Sequence, residues 1–291
     1  MSGAGGTMRP LQLINTARGE SVIFGQDGFV LDDYDIRAIG AVHKTYEGYS
    51  QNGEYRISSR FQRRQIRLTF HLNATDAETM ETKKRHLTRV ADPIGEFELC
   101  MDKKRILCCA DGTAEFSEQA PYRKGLVVEG SLRLICLSPC FYAETPRRAV
   151  YGAYEGQLTF PVSLTEEGAI MGYMPAGNTI RLQNDGDVAV GVTVTVTALS
   201  DCTCFRMTTL DGEETFLYDR TLAAGQILQF CTEYGKKSAT LTDAGTITAA
   251  LQYVDPSSAF FRLAPGENIF TYDSGGGKCK IELELREQYL I

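Results

Sequence analysis

Residues 58–99, SSRFQRRQIRLTFHLNATDAETMETKKRHLTRVADPIGEFEL, hold the pattern from which the fold is read. Ile66, Leu68, Phe70 and Leu72 alternate with Arg67, Thr69 and His71. A period of two sends successive side chains to opposite faces, so this is a strand with one buried and one wet face. After Asn73 the period changes. Ala77, Met80, Leu87 and either Val90 or Ala91 fall on one helical face. Thr75 and Glu78 have the spacing of a capping box. Glu81 and Arg85 are one turn apart and of opposite charge, and Pro93 stops the run. The spacing predicts a helix over 75–91, with strands resuming at Phe97.

Outward from this stretch the period of two dominates. Leu132, Leu134 and Cys136 alternate with Arg133 and Ile135; Val190, Val192, Val194 and Val196 with Gly191, Thr193, Thr195 and Thr197; Cys279, Ile281, Leu283 and Leu285 with Lys280, Glu282, Glu284 and Arg286. The pairs Asp27-Gly28, Asn52-Gly53, Asp111-Gly112 and Asp211-Gly212 fall between such runs and suit type I′ hairpins. Residues 142–156 are rich in turn and small residues and mark a boundary. Beyond it, regular alternation broken by Gly-containing turns predicts a β-sandwich or jelly roll. The expected organisation is a flexible lead-in over 1–8, an N-terminal β domain with one helix over 9–145, and a C-terminal β-sandwich over 146–291.

Composition bounds the function. The chain has 291 residues, 43% hydrophobic and 23% charged, which fits an ordinary globular protein of about two domains. No apolar run approaches the ~18 residues of a membrane-spanning helix, and the opening MSGAGGTMRP lacks the pattern of a secretory signal. The net charge of −7 speaks against general nucleic-acid binding. It is unevenly placed: residues 1–149 carry 21 Lys and Arg against 19 Asp and Glu, whereas residues 150–291 carry 9 against 18. An odd count of nine cysteines argues against a disulfide framework. Cys136 and Cys140 have a metal-compatible spacing, but no second clean pair accompanies them. The cysteines read as buried thiols, and neither a metal nor a cofactor is expected.

A search for chemistry finds little. Of the three histidines, His71 falls on a wet strand face, His86 on a charged helix and His43 in a strand-like run, none beside a recognisable nucleophile. Glu282 and Glu284 share one strand face, and Asp185 and Asp187 flank a turn glycine; neither pair implies a glycosidase cleft. No phosphate-binding loop is present. The chain reads as a non-enzyme. The basic run Arg56, Arg60, Arg63, Arg64 and Arg67 stands out, with Tyr55 and Phe61 as its isolated aromatics. Arginine is enriched at protein interfaces, so these five are the candidate subunit-interface residues, ahead of nucleic-acid contacts. Carbohydrate binding by the C-terminal domain is the alternative, weakened by the absence of tryptophan.

The order of these parts resembles the distal tail protein (Dit) family of long, non-contractile-tailed bacteriophages and related prophages. Four stretches carry the likeness: residues 58–99; GSLRLICLSPCFYAE at 130–144, where Ser138 replaces the family's usual acid; NDGDVAVGVTVTVTA at 184–198; and LAPGENIFTYDSGGGKCKIELELREQYL at 263–290, with its L-x-P-G-x-N turn. The resemblance implies a structural hub at the tail tip with a galectin-like or jelly-roll C-terminal domain. It implies a homohexameric ring of N-terminal domains around a channel through which DNA only passes. The ring would join the tail tube protein to a tail-tip or tail-associated protein, with a receptor-binding protein as a further partner. Another β-rich tail or baseplate component is the neighbouring reading.

Overall fold

The computed structural model describes residues 10–49, 52–117, 126–152, 155–156, 172–173 and 178–291; the lead-in over 1–8 lies outside them. The chain forms two compact units, residues 1–144 with 290–291, and residues 145–289.

The first unit contains β1 (Leu11–Asn15), β2 (Glu20–Ile23), β3 (Phe29–Ile36), β4 (Ala41–Tyr46), β5 (Tyr55–Phe61), β6 (Arg64–Asn73), α1 (Ala77–Val90), β7 (Phe97–Met101), β8 (Lys104–Ala110), β9 (Glu115–Ser117), β10 (Val127–Cys136) and β11 (Phe141–Ala143). Its main sheet runs in the order β2-β1-β7-β8-β10-β6-β3, antiparallel throughout, with β9 beside β10 and β11 beside β8. Long β6 and β10 pair along their whole length, from Val127 opposite Asn73 to Cys136 opposite Arg64. Ile66, Leu68, Phe70 and Leu72 are buried, as are Leu132, Leu134 and Cys136, as the alternation predicts. Each fully buried Leu or Phe contributes roughly 1.5–3 kcal/mol. Gly130 lies opposite Phe70, and a Cβ at Gly130 would sit 2.6 Å from the Phe70 ring. The missing side chain lets Phe70 pack against Phe24 and Phe116, at centroid distances of 5.8 and 6.3 Å.

The helix forms where expected but is capped differently. Its N-cap is Asp76, whose carboxylate accepts the Thr79 N–H at 2.7 Å and the hydroxyls of Thr79 and Thr75. Asp76 takes the cap because it offers two acceptor oxygens to three donors. Thr75 and Glu78 form no capping box, and α1 begins at Ala77. Met80, Leu87 and Val90 face inward, whereas Ala77 is exposed. The last turn is tied down by the buried Asn15, whose amide donates to Val90 O at 3.1 Å, and by the Arg89–Glu20 ion pair. The Glu81–Arg85 pair is present at 3.3 Å.

The expected turn type is met at one of the four pairs, although β2 and β3, the strands this turn joins, lie at opposite ends of the sheet and do not pair with each other. At Asp27-Gly28 both residues have positive φ, 51° and 76°, the type I′ signature. At Gly53, Gly112 and Gly212 only the glycine is left-handed, so those turns belong to other types.

The second unit contains β12 (Arg147–Tyr151), β13 (Glu155–Gly156), β14 (Gly172–Tyr173), β15 (Thr179–Asn184), β16 (Val192–Ala198), β17 (Phe205–Thr209), β18 (Thr215–Tyr218), β19 (Ile227–Cys231), β20 (Ser238–Asp243), β21 (Thr246–Ala249), β22 (Gly266–Asp273), β23 (Cys279–Leu285) and β24 (Gln288–Tyr289). One sheet has the order β12-β23-β16-β19-β20-β21 and the other β15-β22-β17-β18. The two pack as a sandwich over a single apolar core. Phe216 of the second sheet stacks on Phe230 of the first at 3.8 Å. Two of the quoted stretches meet at Asn184. This buried amide donates to Val188 O and Leu263 O, each at 3.0 Å, and accepts the Gly186 N–H. Asn268 closes the L-x-P-G-x-N turn by bonding both the N–H and the C=O of Ala264.

Candidate assembly interface

Strands β4 and β5 pair only with each other among the described residues. All seven residues of β5 are exposed, and in β4 only Val42 is partly covered. Tyr46, Tyr55, Ile57 and Phe61 are 49–64% exposed, a large apolar load for a two-stranded ribbon. Such a ribbon is marginal in water unless it packs on something. The ladder shifts register between Lys44 and Thr45, which leaves Ile57 as an extra residue. The shift distributes the side chains: Lys44, Tyr46, Tyr55 and Arg60 share one face, and His43, Arg56 and Phe61 share the other. Both faces therefore carry aromatic and cationic groups.

The five candidate arginines separate into three environments. Arg56 and Arg60 lie on the exposed hairpin, with Arg63 exposed at its base. Arg64 is a correction to the expectation of an outward basic run. It is 2% exposed, donates to Leu290 O, and places its guanidinium 5.0 Å from the centre of the Phe141 ring. As the first residue of β6 it occupies the inward parity of Ile66 and Leu68, so it is a core residue and not an interface residue. Its Nε has no hydrogen-bond partner, and burial pulls its pKa below the usual arginine value. Arg67 is on the outward face of β6, opposite Arg133 on β10 and Asp35 on β3. Arg67 and Arg133 line a concavity together with Arg37, Gln65 and Asp111. Asp35, outside the lining, pairs with Arg37, and Glu115 with Arg133, so two of the three lining arginines are already paired and the concavity does not form an anion site by itself. Arg56, Arg60, Arg63 and Arg67 make no ion pair among the described residues, whereas Arg18, Arg37, Arg85, Arg89, Arg105, Arg133, Arg147, Arg148 and Arg181 all do.

The remaining chemically suggestive residues have structural roles. His71 bonds Asp32 at 2.6 Å, His86 the Ser21 carbonyl, and His43 the Ser59 hydroxyl. Cys136 contacts Cys108 at 3.1 Å inside the sheet, and no metal-ligand cluster occurs among the described residues. Burial pushes the Cys100 and Cys279 thiols up to about 11, which keeps them protonated and unreactive at neutral pH. Glu284 pairs with Arg148, Glu282 with Lys280, and Asp185 with Arg147.

A sheet-rich first unit with an exposed, arginine-bearing hairpin, followed by a β-sandwich, makes this a two-unit, mainly β protein. Family comparisons identify which kind. Residues 18–136 match the phage tail protein RIFT-related domain, and residues 185–289 match the C-terminal domain of the siphovirus-type tail component. The chain belongs to the distal tail protein family of siphovirus-type phages. Its fold is similar to that of the Dit protein of phage SPP1, described as a hub of the adsorption apparatus in phages infecting Gram-positive bacteria. That likeness has a TM-score of 0.68 at 8% identity and covers 96% of this chain and 98% of that one. It is also similar to a chain of the phage P2 baseplate in its activated conformation with Ca, with a TM-score of 0.55 at 9% identity over 97% of this chain and 98% of that one. No curated protein sequence matches the chain. The matches lend no support to the carbohydrate-binding alternative.

Proposed function

We propose that the protein is the non-catalytic hub at the distal end of a phage tail. It is made and assembled in the bacterial cytoplasm and carried on the virion. Six copies close a ring through their N-terminal units. The ring joins the tail tube protein on one side and a tail-tip or tail-associated protein on the other, with a receptor-binding protein as a further partner. Its channel passes DNA without reading sequence, and no cofactor is required.

The single observation that carries this reading is the match of both halves of the chain, in order, to the two domains of siphovirus tail components. The hairpin supports it physically, because a ring needs a contact between two different surfaces of neighbouring copies. Light scattering on a sizing column, with negative-stain images of the peak, tests the reading. The expected result is a mass near six times 32.1 kDa and ring-shaped particles. A monomer that also fails to associate with the tube and tip proteins of its own phage would sink it.

A further inference from the structure

The main sheet of the first unit is joined unevenly. Among the described residues β6 and β10 pair at ten positions and β7 and β8 at five, but β8 and β10 pair only at Ala110 with Leu134 and Cys109 with Ile135. This short seam joins the half β2-β1-β7-β8 to the half β10-β6-β3. One residue further along each strand, Cys108 and Cys136 meet sulfur to sulfur at 3.1 Å. Both are buried, on the inward parity of Ile106 and Leu134. An inward row crosses the seam at this level. Phe97 faces Cys108 across β7 and β8, and Cys136 faces the buried Arg64 across β10 and β6.

A thiol is a weak hydrogen-bonding group, so as it stands the sulfur pair adds little to the seam. Residues opposed on antiparallel strands have Cα atoms roughly 4.5–5.5 Å apart, within the range that a disulfide spans. We infer that Cys108 and Cys136 are a redox staple, thiols while the chain is kept reduced and a disulfide across the β8–β10 seam once a peroxide reaches them. The chemistry balances. The Cys136 thiolate attacks hydrogen peroxide, the O–O bond breaks, and a sulfenic acid and hydroxide form. The Cys108 sulfur then attacks the sulfenic sulfur, the S–S bond forms and water leaves. Two thiols are oxidised and one peroxide is reduced to two waters. Arg64 faces the attacking sulfur and supplies its counter-charge. Burial lowers the Arg64 pKa and the Cys136 and Cys140 thiols act against that, so cation and sulfurs feel each other's charge. The hydrogen bond with Cys136 and burial both raise the Cys108 pKa, which keeps the closed pair protonated. Oxidation therefore follows local opening, and a seam of two residue pairs is a place where a sheet opens. In a reducing cytoplasm the seam stays unstapled while copies assemble, and it locks after release. That timing rests on the hub reading, whereas the bond rests on the first unit alone.

The full chain, freed of reductant, is treated with hydrogen peroxide, quenched with N-ethylmaleimide and digested for tandem mass spectrometry. The expected product is a peptide joining Cys108 to Cys136, absent from Cys136→Ala and retained in Cys109→Ser. The melting temperature of the wild type should rise by roughly 5–10 °C and fall back on adding reductant. Links between other cysteines alone, sulfinic acids in place of a link, or a Cys108–Cys136 link with no rise in melting temperature would overturn the staple. The wild-type peptide map decides this even where Cys136→Ala fails to fold. For the timing, cells quenched before lysis should hold the free thiols and released particles the linked peptide; the link in both, or in neither, would overturn it. A chain that forms the link but fails to associate with its tube and tip proteins keeps the staple and removes the hub.

Discussion

Arg64 shows how a single side chain can look like one thing in sequence and be another in the fold. It sits in a basic run with Arg60, Arg63 and Arg67, yet its parity on β6 is that of Ile66 and Leu68. Its guanidinium is held by Leu290 O and the face of Phe141, with Nε unpartnered. A buried cation with incomplete hydrogen bonding recovers little of its desolvation cost. Arg64→Met should therefore leave thermal stability unchanged within about 1 kcal/mol or raise it, and should not alter assembly. Arg64→Glu places an anion against a carbonyl oxygen and should cost about 3 kcal/mol or more. Denaturant titration of the two variants checks this, and equal destabilisation by both would show that the guanidinium itself is needed. The alternation that marks Ile66, Leu68 and Phe70 as core extends to Arg64 by simple counting. The charge hides it, because a cation at an inward position is rare enough to read as a surface residue. Asn184 was illegible for a different reason. Its partners, Val188 O and Leu263 O, are backbone groups brought together only by the tertiary fold.

At the scale of elements, the strands were legible because one face of each is dry, and the helix because its period differs from theirs. Its cap was not, since Thr75 and Asp76 are both good N-cap residues and spacing alone favours the capping box. In the structure the Thr79 N–H, then the Thr79 and Thr75 hydroxyls, hold the Asp76 carboxyl below its usual pKa. The sign follows directly. A carboxylate with a depressed folded-state pKa contributes stability that is fully present above its unfolded value and is lost as pH falls through the folded value. Asp76→Ala should lower the melting temperature at pH 7, and the gap from wild type should narrow below about pH 4. Thr75→Ala, which removes only one of the three donors, should have the smaller effect. A gap that stays constant from pH 7 to pH 3 would mean that the cap does not act through its charge. The β4–β5 hairpin is the element sequence reading served least well. Its residues AVHKTY and YRISSRF place apolar and charged groups at both parities. A register shift at Ile57 further breaks the alternation, so no dry face can be read from it. That lack of pattern is itself the signal of a ribbon with no core of its own to face.

For the whole molecule, the split in charge between the halves of the sequence corresponds to two units with separate cores, and this leads to a stability prediction. The first core is built on Phe70, whose ring fills the space left by Gly130. The second is the sandwich around Phe216 and Phe230. Gly130→Val would drive a branched side chain into the Phe70 ring and should cost about 1–3 kcal/mol in overpacking. Asn184→Ala would leave Val188 O and the Gly186 N–H without their partner, while Leu263 O keeps the Val190 N–H, and should cost about 1–3 kcal/mol. Units with separate cores unfold as separate cooperative transitions unless a large apolar surface couples them. Calorimetry of the full chain should then resolve two transitions, with Gly130→Val lowering one and Asn184→Ala the other. If both variants shift a single transition together, the units are energetically one body. A perturbation in the sandwich would then propagate to the first unit, and variants in the second unit should weaken assembly as strongly as those in the first.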